Sequence, residues 1–118
     1  MSKEVVKSSK ISIEIGLDAE NVPVKMEWQS DSNPAGAAPR ECKAMLLSLF
    51  DEESRETFKI DLWTTDMQVI EMDRFFFQTL RAMADTYYKA TQNKELATDM
   101  QRFVQYFGEK TEIIPPEK

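Results

Sequence analysis

The sequence predicts an α+β fold: a four-stranded, mainly antiparallel sheet made of two β-hairpins, with two C-terminal helices packed on one face. Apolar residues alternate with polar ones as far as residue 64, which is the period of a half-buried strand. From residue 69 they recur every three or four positions, which is the period of a helix. The length of 118 residues is that of one domain. We therefore predict a single domain over residues 11–110, with a flexible N-terminus at 1–10 and a C-terminal tail at 111–118.

The first hairpin is predicted from two alternating stretches, ISIEIGL at 11–17 and VPVKMEWQ at 22–29, with the turn formers DAEN between them. A slip of one residue would move the whole apolar set to the wrong face, so alternation should define the register. The segment 30–41 contains two prolines and a glycine, and we predict a long flexible connection there. The predicted cross-strand pairs are Leu17 with Val22, Ile15 with Val24, Ile13 with Met26 and Ile11 with Trp28.

The second hairpin is predicted from KAMLLSLF at 43–50 and TFKIDLWT at 57–64, which flank the charged tip DEESRE. Its inward pairs should be Leu49 with Phe58, Leu47 with Ile60 and Met45 with Leu62. The opposite face carries three apolar side chains that the fold does not need, and aromatic residues are enriched at the centres of interfaces. The predicted partner-binding residues are therefore Trp63, Leu46 and Phe50. The alternative is that the tail or the 30–41 loop covers them.

Two helices complete the prediction. Thr65 with Gln68 three residues later fits a capping box, so the first helix should run from about 69 to 90. Its apolar stripe is too wide for one contact, so the helix should meet both the sheet and a second helix or another subunit. The members of this stripe are Met72, Phe75, Phe76, Leu80, Met83 and Tyr87, and it is widened by Phe77, Ala84 and Tyr88. The second helix is predicted at 94–107, with Asn93 as its N-cap and Gly108 just past its end.

The residue types argue against catalysis. There is no histidine and no phosphate-binding glycine motif, and the acidic tip at 51–53 lacks the spacing of a calcium loop. Asp61 is placed on the solvent face by its alternation, and Cys42 is interpreted as a small buried hydrophobic side chain rather than a reactive thiol. We predict no enzymatic activity, no catalytic or metal-binding residue, and no cofactor.

Charge and hydropathy indicate the class of partner. The net charge of −6 argues against nucleic acid and anionic lipid. The N-terminal MSKEVVKSSK has no apolar core like that of a signal peptide, and no stretch approaches the roughly 20 apolar residues that span a bilayer. We predict a cytoplasmic location and a protein partner, without nucleic acid or membrane insertion. The apolar stripe of the first helix is wide enough to contact a second copy of the chain, so a homo-oligomer is possible.

Several motifs carry a family resemblance: IDLWTTDM, FFFQTL and MADTY, followed by DMQRFVQYF. With these, and from about Ile11 to Phe107, the chain closely resembles the gliding motility protein GldC family of Bacteroidetes. A proline often follows the DM in that family, and Gln68 takes its place here. The resemblance implies a soluble accessory protein of gliding, a process linked to type IX secretion. It implies no enzymatic activity and carries over no catalytic residue.

Three functions fit these observations. The first is a protein-binding or scaffold module in gliding, which acts through the outward residues of the second hairpin. The second is a chaperone-like adaptor for secretion clients, suggested by the small acidic chain and its wide apolar helix. The third is an enzyme or a small-ligand-binding domain with a pocket between sheet and helices, near Phe76 and Tyr87.

Overall fold

A computed structural model describes residues 3–32, 36 and 38–115, and within them five strands precede two helices. The chain forms two compact units, a strand unit (Met1–Met67) and a helical unit (Gln68–Lys118). The α+β class is confirmed. The predicted packing of the helices on a sheet face, and the single domain over 11–110, stay predictions. The elements are β1 (Ile11–Leu17), β2 (Pro23–Ser30), β3 (Arg40–Cys42), β4 (Ala44–Phe50), β5 (Thr57–Trp63), α1 (Val69–Thr91) and α2 (Lys94–Lys110).

The first hairpin forms where it is predicted, but its register differs by two residues. Ile13 lies opposite Trp28 and Ile15 lies opposite Met26, whereas the sequence pattern paired them with Met26 and Val24. A bulge falls between Gly16 and Leu17, so that Val24 has no direct partner. A shift of two keeps every side chain on its predicted face, and alternation alone therefore cannot detect it.

The loop of this hairpin explains one residue of the shift, and the bulge at Val24 adds the other. The Asp18 carboxylate accepts hydrogen bonds from the backbone N–H groups of Glu20 (2.8 Å) and Val22 (3.0 Å). The Asp18 N–H donates to the Val22 carbonyl at 2.9 Å, and Asn21 adopts a left-handed φ of 63°. This Asx-type loop closes between Asp18 and Val22, one residue further into the turn than the predicted pair of Leu17 and Val22.

A third strand lies in the segment predicted as a flexible connection. Residues 33–35 and 37 of that segment lie outside the described residues. Its end forms β3, which pairs antiparallel with β2 so that Met26 lies opposite Cys42 and Trp28 opposite Arg40. The Lys25 ammonium lies 3.6 Å from the Glu41 carboxylate of β3. Three residues with two charges give no alternation to recognise, so the pairing with β2 decides their conformation.

The predicted single sheet of four strands is corrected by the structure. Among the described residues there is a three-stranded sheet in the order β1-β2-β3 and a two-stranded sheet of β4 and β5. Only Lys43 separates β3 from β4. Near this point β2 has a bulge at Val24 in its pairing with β1, and Pro23 has no N–H to donate. Pro23 instead accepts a hydrogen bond from the Thr65 N–H at 3.3 Å.

The register of the second hairpin is confirmed. Leu49 pairs with Phe58, and the other two predicted pairs follow. Their predicted inward direction is not confirmed, because Leu49 and Phe58 are more than half exposed. The tip holds this register, since the Asp51 carboxylate accepts from the Ser54 N–H at 2.9 Å and Arg55 adopts a left-handed φ of 59°. An acidic residue that bonds the backbone of its own turn fixes the strand ends without help from packing.

Helix α1 begins at Val69 as predicted, but its N-cap residue is not the predicted one. The N-cap is Gln68, whose backbone N–H donates to the Glu71 side chain at 3.0 Å. Thr65, the predicted cap, belongs to the strand unit. At α2, Asn93 is the N-cap as predicted, and its side chain accepts from the Leu96 N–H at 3.0 Å.

The end of α2 overturns the interpretation of Gly108 as a terminator. The helix continues through Gly108 to Lys110, and Gly108 is buried. A Cβ at this position would lie 2.6 Å from Ile114 and 2.7 Å from Phe77. The missing side chain therefore lets α1 and the returning tail approach the helix backbone, and the Ile114 N–H donates to the Gly108 carbonyl at 3.0 Å.

The buried apolar side chains of α1 are ones that widen the predicted stripe rather than its central members. In the helical unit the buried apolar side chains are Phe77 and Ala84 of α1 with Ala97 and Val104 of α2. Met83, a member of the predicted stripe, is half exposed. The contact with α2 therefore uses the residues that broadened the stripe.

Candidate functional site

The register of the second hairpin places all three predicted site residues on one face, which we call the outer face. Leu46 lies opposite Asp61, Phe50 lies opposite Thr57, and Trp63 lies opposite Ala44. Opposite residues of an antiparallel pair project to the same side of the sheet. The outer face consists of Ala44, Leu46, Ser48, Phe50, Thr57, Lys59, Asp61 and Trp63.

The three predicted side chains are all solvent-accessible. The exposed fraction is 55% for Trp63, 39% for Leu46 and 72% for Phe50. A tryptophan usually buries most of its large ring, so one with half of its surface accessible is an informative observation.

The structure brings two of the three residues together and keeps the third apart. Leu46 is the diagonal neighbour of Trp63, and such neighbours lie within reach of long and aromatic side chains. Phe50 lies six residues along β4 from Ala44, the direct partner of Trp63, which is a distance of about 20 Å in an extended strand. The predicted cluster is therefore one apolar pair at the base of the hairpin and one separate phenylalanine at its tip.

An ion pair occupies the middle of the outer face. The Lys59 ammonium lies 3.1 Å from the Asp61 carboxylate, and both side chains are solvent-accessible. An exposed pair of this kind contributes about 0–1 kcal/mol to stability. The two charged side chains lie between Phe50 at the tip and the apolar pair, Leu46 and Trp63, at the base.

Hydrogen bonds fix the backbone next to Trp63. The following residue, Thr64, is 3% exposed, and its N–H donates to the Lys43 carbonyl at 2.8 Å. Its hydroxyl donates to the Asp66 carboxylate at 2.5 Å. This hydrogen bond, supported by the Lys43 ammonium at 3.9 Å, lowers the pKa of Asp66 below its ordinary value. Trp63 is thus presented from a well-anchored strand end.

A cavity of about 320 Å³ lies beside this anchor, at the junction of β3 and β4. Cys42 lines it, and burial raises the pKa of this thiol, so the protonated form prevails at neutral pH. Within the described parts of the chain, no three potential metal-ligating side chains of the histidine, cysteine and carboxylate types lie together. Sequence reasoning missed this cavity because it depends on the unpredicted strand β3. Its lining residues are Val24, Lys25, Met26, Glu41, Cys42, Lys43, Thr64 and Asp66.

The helical unit carries an apolar groove of about 710 Å³ along α1. Tyr87, one of the two residues named for a ligand pocket, lines it, but Phe76 does not. The groove contains few polar groups that could orient a ligand. Its lining residues are Phe75, Gln78, Thr79, Ala82, Met83, Thr86, Tyr87, Ala90 and Met100.

Comparison with known proteins supplies the family. A family model described as gliding motility-associated protein GldC-like matches residues 23–113. The chain belongs to the GldC-like family. The match covers every element from β2 to α2, so the outer face lies inside the GldC-like region and β1 lies outside it.

Searches of curated proteins and of solved structures each found no match to this GldC-like chain. Within the described residues, neither helix combines the length and the apolar character that crossing a membrane requires.

Proposed function

We propose that this GldC-like chain is a non-enzymatic protein-binding module of the gliding machinery, and that Trp63 and Leu46 form the centre of its partner-binding surface. Membership of a gliding motility-associated family supports the process. The observation that carries the site is the 55% exposure of Trp63 beside Leu46 on the outer face.

The anchoring of the strand end strengthens this assignment. Binding costs less when the contacting side chain is already held in place. The backbone next to Trp63 is fixed through Thr64, which is buried and bonded to Lys43 and Asp66. A rigid, half-exposed tryptophan has the properties of an interface hot spot.

The proposal includes the location and process that the resemblance implies. We place the chain in the cytoplasm of a gliding bacterium of the Bacteroidetes, where it supports machinery linked to type IX secretion. Its partner is a protein rather than nucleic acid, because the chain is acidic, with a net charge of −6.

Replacement of Trp63 tests the proposal. Trp63→Ala should leave the circular dichroism spectrum and melting temperature nearly unchanged, because the ring is half exposed. It should also reduce gliding and the capture of the partner from gliding cells. Truncation of a hot-spot residue costs about 2 kcal/mol or more, a loss of roughly 30-fold or more in affinity.

Tyr106→Ala is the matched control. Tyr106 is an aromatic residue of α2 with an exposed fraction of 54%, and it should tolerate the same truncation without loss of gliding. If Trp63→Ala unfolds the protein, Trp63 is a core residue and the proposed surface is wrong. Full gliding with a folded Trp63→Ala variant would also contradict the proposal.

The groove on α1 favours one alternative, the binding of a small apolar ligand. Its size suits such a molecule, and Met83 and Tyr87 lie on its wall. The two functions differ in their response to the same variant. A ligand carrier that acts through α1 would keep its activity after Trp63→Ala, since Trp63 belongs to the strand unit.

A further inference from the structure

The outer edge of β5 is a long, regular strand edge. Within the residues that the structure describes, β5 pairs only with β4. It runs for seven residues, Thr57–Trp63, without proline or glycine, and its pairing with β4 shows no bulge. An edge of this kind presents a row of backbone N–H and C=O groups that can pair with another strand.

The hydrogen bonds of the hairpin show which residues point to that edge. The Thr64 N–H donates to the Lys43 carbonyl, and the Asp51 N–H donates to the Glu56 carbonyl. Both pairs continue the β4–β5 register, so even-numbered residues of β5 direct their backbone groups toward β4. The odd-numbered residues direct theirs to the outer edge: Thr57, Lys59, Asp61 and Trp63.

This parity restricts how β5 could pair antiparallel with β5 of a second copy. Odd-numbered residues must lie opposite odd-numbered residues, so a twofold axis passes through position 59, 60 or 61 in the central registers. An axis at 59 places Lys59 opposite Lys59, and an axis at 61 places Asp61 opposite Asp61. Like charges directly opposite each other are destabilising. Only the axis at Ile60 places Lys59 opposite Asp61 of the second copy, twice.

We propose that two copies of the chain associate by antiparallel pairing of their β5 strands around a twofold axis at Ile60. Two Lys59–Asp61 pairs then flank the axis, and Thr57 lies opposite Trp63 of the second copy. These are the hydrogen-bonded pairs, while Ile60 faces Ile60 across a non-hydrogen-bonded pair. The interface is isologous and closed, so it stops at two copies.

The resulting sheet has enough strands to be stable, whereas the hairpin alone has only two. Two strands alone are marginally stable, whereas the order β4-β5-β5-β4 makes four. The face opposite the outer face carries only apolar side chains of β4 and β5, and on it Phe58 of one copy lies opposite Leu62 of the other. This inference goes beyond the proposed partner-binding function, and its tests measure mass and cross-linking rather than gliding.

The molar mass is the first test. Light scattering coupled to size exclusion should give twice 13.7 kDa for the full chain. A strict monomer over the whole dilution series would overturn the proposal.

Charge reversal tests the register. Asp61→Lys alone places lysine opposite lysine, and Lys59→Asp alone places aspartate opposite aspartate, so each should weaken self-association by about tenfold or more. An equimolar mixture of the two variants should restore a dimer, because the two lysines of one variant then lie opposite the two aspartates of the other. The mixture does not rebuild the Lys59–Asp61 pair within either chain, so restoration isolates the contact between copies. Glu14→Lys in β1 is the control and should keep the dimer.

A cross-link tests the position of the axis. Ile60→Cys in a Cys42→Ser background should form a disulfide between copies, because Cα atoms in a non-hydrogen-bonded pair lie about 4.5 Å apart. Phe58→Cys is the matched control; its two copies would lie about 13 Å apart along the strands, which is beyond disulfide reach. Folding of each variant is checked by circular dichroism. A folded Ile60→Cys variant that stays uncross-linked, or a mixture that stays monomeric, would overturn the proposal.

Discussion

Gly108 is the residue at which one added methyl group should matter most. Its Cβ would lie 2.6 Å from the Ile114 side chain and 2.7 Å from the Phe77 ring, and Phe77 is buried. We expect Gly108→Ala to lower the free energy of unfolding by about 1–3 kcal/mol through overpacking. This loss is net of the roughly 1 kcal/mol that alanine gains over glycine in helix propensity. Urea denaturation measures the difference.

Gly16→Ala is the control for this substitution. Its Cβ would lie 3.5 Å from the Lys25 carbonyl, an ordinary contact distance. The change in unfolding free energy should therefore be clearly smaller than at Gly108. A Gly108→Ala variant as stable as the wild type would mean that Phe77 and Ile114 do not pack against this backbone.

Asp66 should make the stability depend on pH. The Thr64 hydroxyl, with a smaller contribution from Lys43, lowers the pKa of Asp66 in the folded state. A lowered folded pKa stabilises the protein above the ordinary aspartate pKa of about 3.9. This stabilisation is lost as the pH falls through the lowered value. Asp66→Asn should therefore lower the melting temperature at neutral pH, and the difference from wild type should vanish in strong acid.

Thr64→Val separates the hydrogen bond from the general effect of charge. It removes the hydroxyl that donates to Asp66, so the pKa of Asp66 measured by NMR should rise toward its ordinary value. An unchanged pKa in a folded Thr64→Val variant would show that the Thr64 hydroxyl is not the cause.

At the scale of elements, the sequence predicts a strand register correctly where hydrogen bonds within the turn determine it. The second hairpin was predicted pair by pair because Asp51 closes its tip through its own carboxylate. The first hairpin was predicted with the right faces and the wrong partners, since the Asp18 loop and the bulge at Val24 shift the register by an even number. Strand β3 was not predictable, because only its pairing with β2 makes it a strand.

The two helices likewise show which features the local sequence predicts and which depend on tertiary contacts. Asn93 caps α2 as its residue type predicts. Gly108 has the residue type of a helix end, but its tertiary contacts place it inside the helix. For the candidate site, alternation put Trp63, Leu46 and Phe50 on one face. Antiparallel pairing places Trp63 and Phe50 at opposite ends of it, which the predicted register already implied.

At the scale of the whole molecule, the prediction of one domain over residues 11–110 can be tested by unfolding. Both tryptophans, Trp28 and Trp63, belong to the strand unit, whereas most of the far-ultraviolet dichroism comes from α1 and α2. A single cooperative domain gives the same transition by both probes. We expect tryptophan fluorescence and circular dichroism to report one urea midpoint.

Gly108→Ala provides the control for cooperativity. The substitution lies in the helical unit, so in a single domain it should move the fluorescence midpoint of the strand unit as far as the dichroism midpoint. Two separate transitions, or a shift confined to dichroism, would mean that the strand and helical units unfold independently.

The central ion pair sets a minimum size for any ligand that uses the full outer face. A molecule that touches both Trp63 and Phe50 must extend over about 20 Å, the length of some six residues of extended peptide. It must also cover Lys59 and Asp61 and offer polar groups in place of the water it removes. An extended peptide shorter than about six residues would therefore contact one end of the hairpin only, and its affinity would respond to Trp63 or to Phe50 but not to both.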